Sequence, residues 1–179
     1  MKVDVKRRDS GTGQIVYVTY DRQDKLNALN SDGIDALSIS FESLSNDPDV
    51  RAVILTGAGS KAFIGGADIT ELSNLNPQTA KIFIGSLHDL FVRVREFPVP
   101  VIAQIEGYAL GAGMELAAAC DLRIGSENAI FGMPEVRVGV PSVIEAALLP
   151  RLIGWGRSNY LVYLSLIHIS EPTRRTPIS

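Results

Sequence analysis

The chain of 179 residues is 46% hydrophobic and 21% charged, a composition typical of a globular domain with a core of its own. Its formal net charge of −3 argues against nucleic acid and against an anionic membrane surface as partners. The single cysteine, Cys120, excludes an intrachain disulfide and favours a reducing, cytoplasmic location, and its apolar run LAAAC predicts a core position. No signal peptide or membrane span is predicted, because the uncharged runs are too short or too rich in glycine.

Strand and helix patterns alternate through the first half of the chain. Two segments of alternating polarity flank Ser10-Gly11-Thr12-Gly13 and predict a hairpin. Ser31 is the expected N-cap of the first helix, and Pro77 is the expected first residue of the second. A glycine-rich loop at 57–66 leads into a helical turn at Asp68. The predicted strands are 3–8, 15–20 and 53–56, and the predicted helices are 31–44 and a segment from 76–77 to the Phe97-Pro98-Val99-Pro100 stop, with Ile82 or Phe83, Leu87, Leu90, Phe91 and Val94 on its apolar face.

The second half continues the alternation. Its predicted strands are 101–105, 122–126 and 129–132, and its predicted helices are 111–120, Ser142 to about Leu152, and 155–163. Because strands alternate with helices, the sequence predicts an α/β domain rich in parallel strands.

The last sixteen residues, LSLIHISEPTRRTPIS, match neither a helical stripe nor a strand pattern. They resemble one reading frame of a transposon-type sequencing adapter. We therefore expect a core domain at 1–163 and a foreign, disordered tail at 164–179, the alternative being an ordinary disordered terminus. On either interpretation His168 is no catalytic candidate, and His88 is expected at the surface or at a rim.

The stretch 107–135 carries the residues best suited to chemistry. Gly111-Ala112-Gly113 follows a strand and opens a helix, where free backbone N–H groups and the helix dipole suit an oxyanion. Glu115 on that helix and Glu135 twenty residues later could supply acid and base chemistry beside it. Taken alone, Glu115 is equally well a solvated first-turn carboxylate, and Glu135 a loop residue at the surface.

Two other kinds of site are weighed against this one. The turn at 57–62 fits G-x-G-x-x-A after a strand, but Gly65-Gly66 interrupts the helix that a dinucleotide site needs, so a nicotinamide-dependent oxidoreductase is disfavoured. No metal site is expected, because His and Cys are few and the acids lack ligand spacing. The two glycine-rich turns instead form a pair, with the amides of Ala67 and Ala112 facing one thioester oxygen. The plain alternative is that both are tight turns that need small residues.

Three motifs, KAFIGGADI at 61–69, EGYALGAGMELAAACD at 106–121 and FGMPEVRVG at 131–139, resemble the enoyl-CoA hydratase/isomerase (crotonase) family. DRQDKLNALN, RAVILTGAG and PRLIG also fit, so the likeness covers about 3–163. It implies an α/β fold built as a spiral of repeated ββα units, usually assembled as a trimer or a dimer of trimers. It also implies an acyl-CoA thioester of fatty acid metabolism as the substrate, and no cofactor apart from the coenzyme A of that substrate. The C-terminal helices that complete the family's trimer are expected to be missing here.

Positions in the family motifs imply roles for single residues. Ala67 and Ala112 fall on the oxyanion-hole positions, with Ala112 in place of a common glycine, and Glu115 and Glu135 fall on the two catalytic glutamates of the hydratases. The residues implied to bind the substrate or its coenzyme A are Lys25, Leu26, Ala28, Gly66, Asp68, Ile69, Tyr108, Gly111 and Pro134.

The expected reaction is hydration of a 2-enoyl-CoA to a 3-hydroxyacyl-CoA through an enolate, with Glu135 preferred for moving the α-proton. The segment 141–145 departs from the family pattern, and Glu145 is expected to be an early-helix residue, with a third active carboxylate as the alternative. This departure leaves open a double-bond isomerase on the same scaffold. A different class, a non-catalytic fragment that binds acyl-CoA weakly, also remains open.

Overall fold

A computed structural model describes residues 1–142 and 144–165. Five strands form the larger sheet, in the order Lys2–Asp9 (β1), Gln14–Asp21 (β2), Val50–Gly57 (β3), Val101–Ile105 (β5) and Leu122–Gly125 (β7). The first pair is antiparallel, and the other neighbours are parallel, with Tyr17 opposite Ile54 and Val53 opposite Val101. The hairpin and the parallel α/β class predicted from the sequence are therefore confirmed.

Three short strands form a second, wholly parallel sheet in the order β4-β6-β8. They are Ala62–Ile64, Tyr108–Leu110 and Ile130–Gly132. The sequence prediction missed β4, which lies inside the glycine-rich loop, and β6, which is only three residues long. Along the chain the strands come in pairs, β3 with β4, β5 with β6 and β7 with β8. Each pair places its first strand in the large sheet and its second in the small one, which is the repeated ββα arrangement that was expected.

Helices α1 (Ser31–Ser45) and α3 (Pro77–Arg95) pack against each other and the large sheet. The N-cap of α1 is Asn30, whose side chain accepts a hydrogen bond from the amide of Gly33, so the prediction of Ser31 as the cap was wrong by one residue. Pro77 begins α3 as predicted, behind a capping box formed by Asn76 and Thr79. The residues that fill the core between these layers include Val18, Tyr20, Phe41, Leu55, Phe83, Leu87 and Phe91, whereas Ile82 is exposed.

Short helices complete the described part of the chain. They are α2 (Ile69–Leu72), α4 (Ala112–Ala119), α5 (Leu149–Ile153) and α6 (Trp155–Leu164), with 3₁₀ helices at Gln23–Lys25, Pro134–Val138 and Ala146–Leu148. The predicted helix from Ser142 to Leu152 is wrong, because 142 is irregular and a 3₁₀ turn and α5 share the segment. Pro150 has no amide proton and would clash with a carbonyl four residues back, so it can only sit near the start of a helix.

No helix among the described residues is long and apolar enough to cross a membrane. The buried Cys120 lies in the core, as predicted. The expected foreign tail begins at Leu164, which is the last residue of α6. Its residues 166–179, with His168, lie outside the described residues, so that expectation stays a prediction.

Candidate active site

The three parallel strands of the small sheet end at one edge, and a candidate site residue follows each of them. Ile64, Leu110 and Gly132 are the last residues of β4, β6 and β8. Leu110 is paired with Gly132, and Ile64 with Ala109, so the strand ends are in register. The carboxyl ends of parallel strands meet at one edge of their sheet, where the connecting loops build a crevice. This topology collects the segments that carry Ala67, Ala112 and Glu135.

Helix α4 supplies the first carboxylate. Gly111 adopts φ +51°, a conformation that favours glycine, and it turns the chain from β6 directly into the helix. Ala112 is the first helical residue, so its N–H has no acceptor within α4. Glu115, one turn later, is only 3% exposed, and its Oε1 accepts hydrogen bonds from the amides of Glu145 (3.1 Å) and Ala146 (2.9 Å). The carboxylate is therefore held from one side by backbone donors.

The 3₁₀ helix after β8 supplies the second carboxylate, Glu135. A Cβ on Gly111 would collide with Oε1 of Glu135, so the glycine also makes room for this side chain. The other oxygen, Oε2, is buried, and none of the residues that the structure describes donates a hydrogen bond to it. A buried carboxylate oxygen without a protein donor is costly in a folded chain, which favours a ligand or a substrate water as its partner.

Both glutamates have raised proton affinity. Burial, together with the charge of Glu135, raises the pKa of Glu115 to about 7 against the lowering effect of the backbone amides. Burial also raises the pKa of Glu135, opposed by its own amide and by the Ser142 hydroxyl. Carboxyl groups with raised pKa values that border one cavity are suited to acid and base catalysis.

Ala67 lies between β4 and α2 and forms an isolated parallel bridge with Leu29. In this bridge the amide of Leu29 donates to the carbonyl of Gly66 (2.8 Å), and the amide of Asp68 donates to the carbonyl of Leu29 (2.8 Å). The carbonyl of Gly66 and the amide of Asp68 both point toward Leu29. Because the backbone groups of successive residues in an extended chain point to opposite sides, the N–H of Ala67 points away from Leu29. Two backbone donors on different segments, at Ala67 and Ala112, thus border one cavity.

That cavity has a volume of about 260 Å³ and brings together eight of the predicted site residues. Its walls are mostly apolar, and Glu115 and Glu135 are the charged groups among its described lining residues. The eight are Gly66, Ala67, Ile69, Gly111, Ala112, Glu115, Pro134 and Glu135. The remaining wall is formed by Gly65, Leu72, Ile84, Leu87, Leu110, Val138, Val140, Pro141, Ser142 and Ile144.

Five predicted binding residues lie outside this lining: Lys25, Leu26, Ala28, Asp68 and Tyr108. The loop that carries the first three runs along the segment before Ala67, because the amide of Gly65 donates to the carbonyl of Leu26 (2.9 Å). Lys25 is exposed, and Leu26 is exposed with a left-handed backbone (φ 52°). Tyr108 lies in β6, and its side chain is exposed. Their roles in binding coenzyme A stay predictions.

Asp68 has a structural partner that the sequence did not indicate. Its carboxylate lies 2.6 Å from Nη2 of Arg22 and accepts hydrogen bonds from the amides of Thr70 (2.8 Å) and Glu71 (3.3 Å). Burial raises the pKa of Asp68, but the bonds from Arg22 and these amides outweigh it and hold the pKa below its usual value. Arg22 also donates to the carbonyl of Ala28 (3.0 Å), so it ties the loop of Lys25 to the loop of Ala67.

Glu145 is the other residue whose place sequence reasoning misjudged. It precedes the 3₁₀ helix rather than lying in an α-helix, and it is 5% exposed. Its Oε2 accepts a hydrogen bond from Nη1 of Arg95 (3.0 Å), and its Oε1 lies 3.2 Å from Nδ1 of His88. His88, about half exposed, lies at the surface, one of the two places expected for it. Glu145 does not line the cavity, so the alternative of a third carboxylate facing it finds no support.

The sequence of the chain is similar to that of known proteins. A sequence model of the family described as "Enoyl-CoA hydratase/isomerase" matches residues 10–170. The chain is 42% identical over 152 residues to the short-chain-enoyl-CoA hydratase of Clostridium acetobutylicum, covering 84% of this chain and 58% of that protein. It is 39% identical over 162 residues to the crotonyl-CoA hydratase of Syntrophomonas wolfei, covering 89% of this chain and 62% of that protein.

Solved structures show the same similarity. The crystal structure of an enoyl-CoA hydratase from Bacillus anthracis superposes with a TM-score of 0.86 at 34% identity, covering 93% of this chain and 64% of that one. The expected crotonase-type fold is therefore confirmed. The chain spans about three fifths of the length of the curated relatives it matches, 58% and 62% for the two named above.

Proposed function

The chain belongs to the enoyl-CoA hydratase/isomerase family, and from that membership and its cavity we propose that it adds water to a 2-enoyl-CoA thioester. The observation that carries the proposal is the meeting of Glu115 and Glu135 with the amides of Ala67 and Ala112 around one apolar cavity. The product is a 3-hydroxyacyl-CoA. Relatives with the names short-chain-enoyl-CoA and crotonyl-CoA hydratase support a small acyl group as the substrate.

In the proposed mechanism the thioester oxygen binds between the amides of Ala67 and Ala112. Water adds through its oxygen to C3 of the conjugated acyl chain, and the electron pair of the double bond moves to give an enolate. The two N–H donors stabilise the negative charge that develops on the thioester oxygen. Removing one such donor typically costs about 3 kcal/mol of transition-state stabilisation. The apolar walls exclude other water and strengthen both interactions.

The two glutamates divide the proton transfers. Glu115 is held as an acceptor by the amides of Glu145 and Ala146, so its ionised form suits the orientation of the attacking water. Glu135, with a raised pKa and no protein donor on Oε2 among the described residues, suits the transfer of a proton to C2. Glu115 accepts the proton that the water loses as its oxygen bonds to C3, and Glu135 gives its own proton to C2. A proton then passes from Glu115 to Glu135 through water in the cavity, which restores both groups for the next cycle.

The coenzyme A part of the bound substrate would extend out of the cavity along the loop that carries Lys25, Leu26 and Ala28. This loop lies beside Gly65 and Gly66. The exposed ammonium group of Lys25 is suited to the phosphates of the coenzyme. Edge strand β7 exposes the apolar residues Leu122 and Ile124, and we also propose that copies of the chain associate through it, in the homotrimer or hexamer that the family likeness implies. Light scattering tests this, because a monomer in solution would contradict it.

The function is tested by following the loss of the conjugated thioester when crotonyl-CoA is mixed with the full chain. We expect hydration by the wild type and a loss of about 100-fold or more in kcat for Glu135→Gln, which cannot donate or accept the proton. Glu127→Gln is the matched control, because Glu127 is an exposed glutamate away from the cavity. Hydration by Glu135→Gln at the wild-type rate would exclude the proposed role of Glu135.

Two further experiments distinguish hydration from the alternative functions. If the chain converts a 3-enoyl-CoA to the conjugated form and does not hydrate crotonyl-CoA, it is a double-bond isomerase. Crotonyl-CoA that binds in calorimetry and is never turned over would make it a binding protein.

A further inference from the structure

Glu145 connects the candidate active site to the long helix α3. Its backbone amide and that of Ala146 are the two donors to Oε1 of Glu115. Its carboxylate points elsewhere, toward Arg95 and His88 of α3. The residue thus contacts the catalytic carboxylate with its main chain and a different element with its side chain.

The side-chain contacts of Glu145 are well shielded from solvent. Its side chain is 6% exposed, and each of its oxygens has its own partner on α3, at 3.0 Å for Arg95 and 3.2 Å for His88. His88 and Arg95 are seven residues apart, two turns of α3, and so lie on the same face of the helix. A buried carboxylate that lost these partners would be strongly disfavoured, so the contact fixes the position of Glu145 on α3.

The neighbouring segment needs such a fixed point. Residues 139–142 and Ile144–Glu145 lie outside regular helix and strand. Without an anchor, this irregular chain could hold its amides on Glu115 only at an entropic cost.

We propose that Glu145 is a positioning residue, whose carboxylate, bound by Arg95 and His88, aligns the amides of Glu145 and Ala146 on the carboxylate of Glu115. Its effect on catalysis rests on the proposed hydratase function. Its effect on the two amides does not.

The alignment has an electrostatic consequence at Glu115. The groups that face this carboxylate are Glu135, whose charge raises its pKa, and the amides of the 144–146 segment, which lower it. The carboxylate of Glu145 and the side chains of His88 and Arg95 face one another instead. If the amides move away, burial and Glu135 act without opposition, and the pKa of Glu115 rises further.

The test compares two arginines of α3. Arg95→Gln removes a partner of Glu145. Arg93→Gln, on the same helix, removes only an exposed ion pair with Glu42 of α1 (3.4 Å). Amide hydrogen exchange followed by NMR is the first measurement. We expect the amides of Glu145 and Ala146 to exchange about tenfold faster in Arg95→Gln and at the wild-type rate in Arg93→Gln.

Hydration of crotonyl-CoA as a function of pH is the second measurement. In Arg95→Gln and Glu145→Ala we expect kcat to fall about tenfold with KM nearly unchanged, and the acidic limb of the profile to move to higher pH. Arg95→Lys, which keeps the charge, should restore most of the wild-type behaviour. Thermal unfolding shows whether each variant is folded.

The outcomes separate this proposal from the proposed function. A wild type that does not hydrate crotonyl-CoA contradicts the function, but the exchange of the two amides still decides the positioning role. Unchanged exchange in both folded Arg95→Gln and folded Glu145→Ala overturns the proposal. A wild-type pH profile in a Glu145→Ala variant that is merely less stable also overturns it, because Glu145 would then be only a structural ion-pair partner.

Discussion

Replacement of Glu115 by glutamine should stabilise the folded chain at alkaline pH. Glu115 is 3% exposed, and its pKa rises from 4.5 to about 7 on folding, mainly because of burial. Between these two values the folded state binds more protons than the unfolded state, so the wild type loses stability as the pH rises. Glutamine is neutral throughout, and its carbonyl oxygen can still accept from the amides of Glu145 and Ala146.

The magnitude follows from the difference between the two pKa values. Since one pKa unit corresponds to about 1.4 kcal/mol, the wild type loses roughly 1 kcal/mol by pH 5 and about 3 kcal/mol by pH 8, relative to a neutral side chain. The free energy of unfolding of Glu115→Gln, measured against the wild type by urea denaturation, should therefore gain about 2 kcal/mol between pH 5 and pH 8.

Glu127→Gln, at an exposed position, is the control and should show no comparable trend. A difference between Glu115→Gln and the wild type that stays constant from pH 5 to pH 8 would refute the reasoning. It would mean that Glu115 has the same proton affinity in both states.

Three other substitutions or reactions test different parts of the site. In Gly111→Ala the new methyl group should displace Glu135 and lower kcat about 100-fold, with a smaller change in KM, in the crotonyl-CoA assay. Asp68→Ala should lower the free energy of unfolding by about 2–4 kcal/mol, because it removes the N-cap of α2 and leaves Arg22 unpaired, and urea denaturation against Asp68→Asn isolates the charge. Burial raises the pKa of Cys120 to about 12, so its modification by a thiol reagent near neutral pH should require unfolding and follow the urea transition.

Each of these three has a result that contradicts it. Wild-type kcat in Gly111→Ala would mean that Glu135 need not occupy its observed position. Equal stability of Asp68→Ala and the wild type would show that the Arg22 contact contributes nothing. Rapid labelling of Cys120 in the native chain would place the thiol outside the core.

Periodicity and turn chemistry predicted the larger elements of this fold. The helices α1 and α3 and the five long strands have enough residues for an apolar stripe or an alternation to be recognised. Strands β4 and β6 have three residues each and lie beside glycines, and neither was predicted, whereas β8, which is equally short, was. The false helix after Ser142 arose because its apolar residues have helical spacing, whereas Pro150 requires a new helix start.

Ala67 and Ala112 stand next to glycines, and Glu115 and Glu135 lie within three residues of one, so the motifs around these glycines indicated the centre of the candidate site. The supporting contacts could not be found in that way. Arg22 is 46 residues from Asp68, and Arg95 is 50 residues from Glu145. Neither pair forms a local pattern, and each arginine taken alone is consistent with a solvated surface residue.

The parallel bridge between Leu29 and Ala67, and the helix start at Ala112, place two alanines at the border of the cavity. An alanine scan, the usual first survey of a catalytic pocket, passes over both positions because they are already alanine. If the proposed oxyanion hole is correct, such a survey would identify the carboxylates and miss the groups that stabilise the enolate. Exchanging the peptide amide at Ala67 or Ala112 for an ester removes the donor and keeps the methyl group, so backbone chemistry is the means of measuring their contribution.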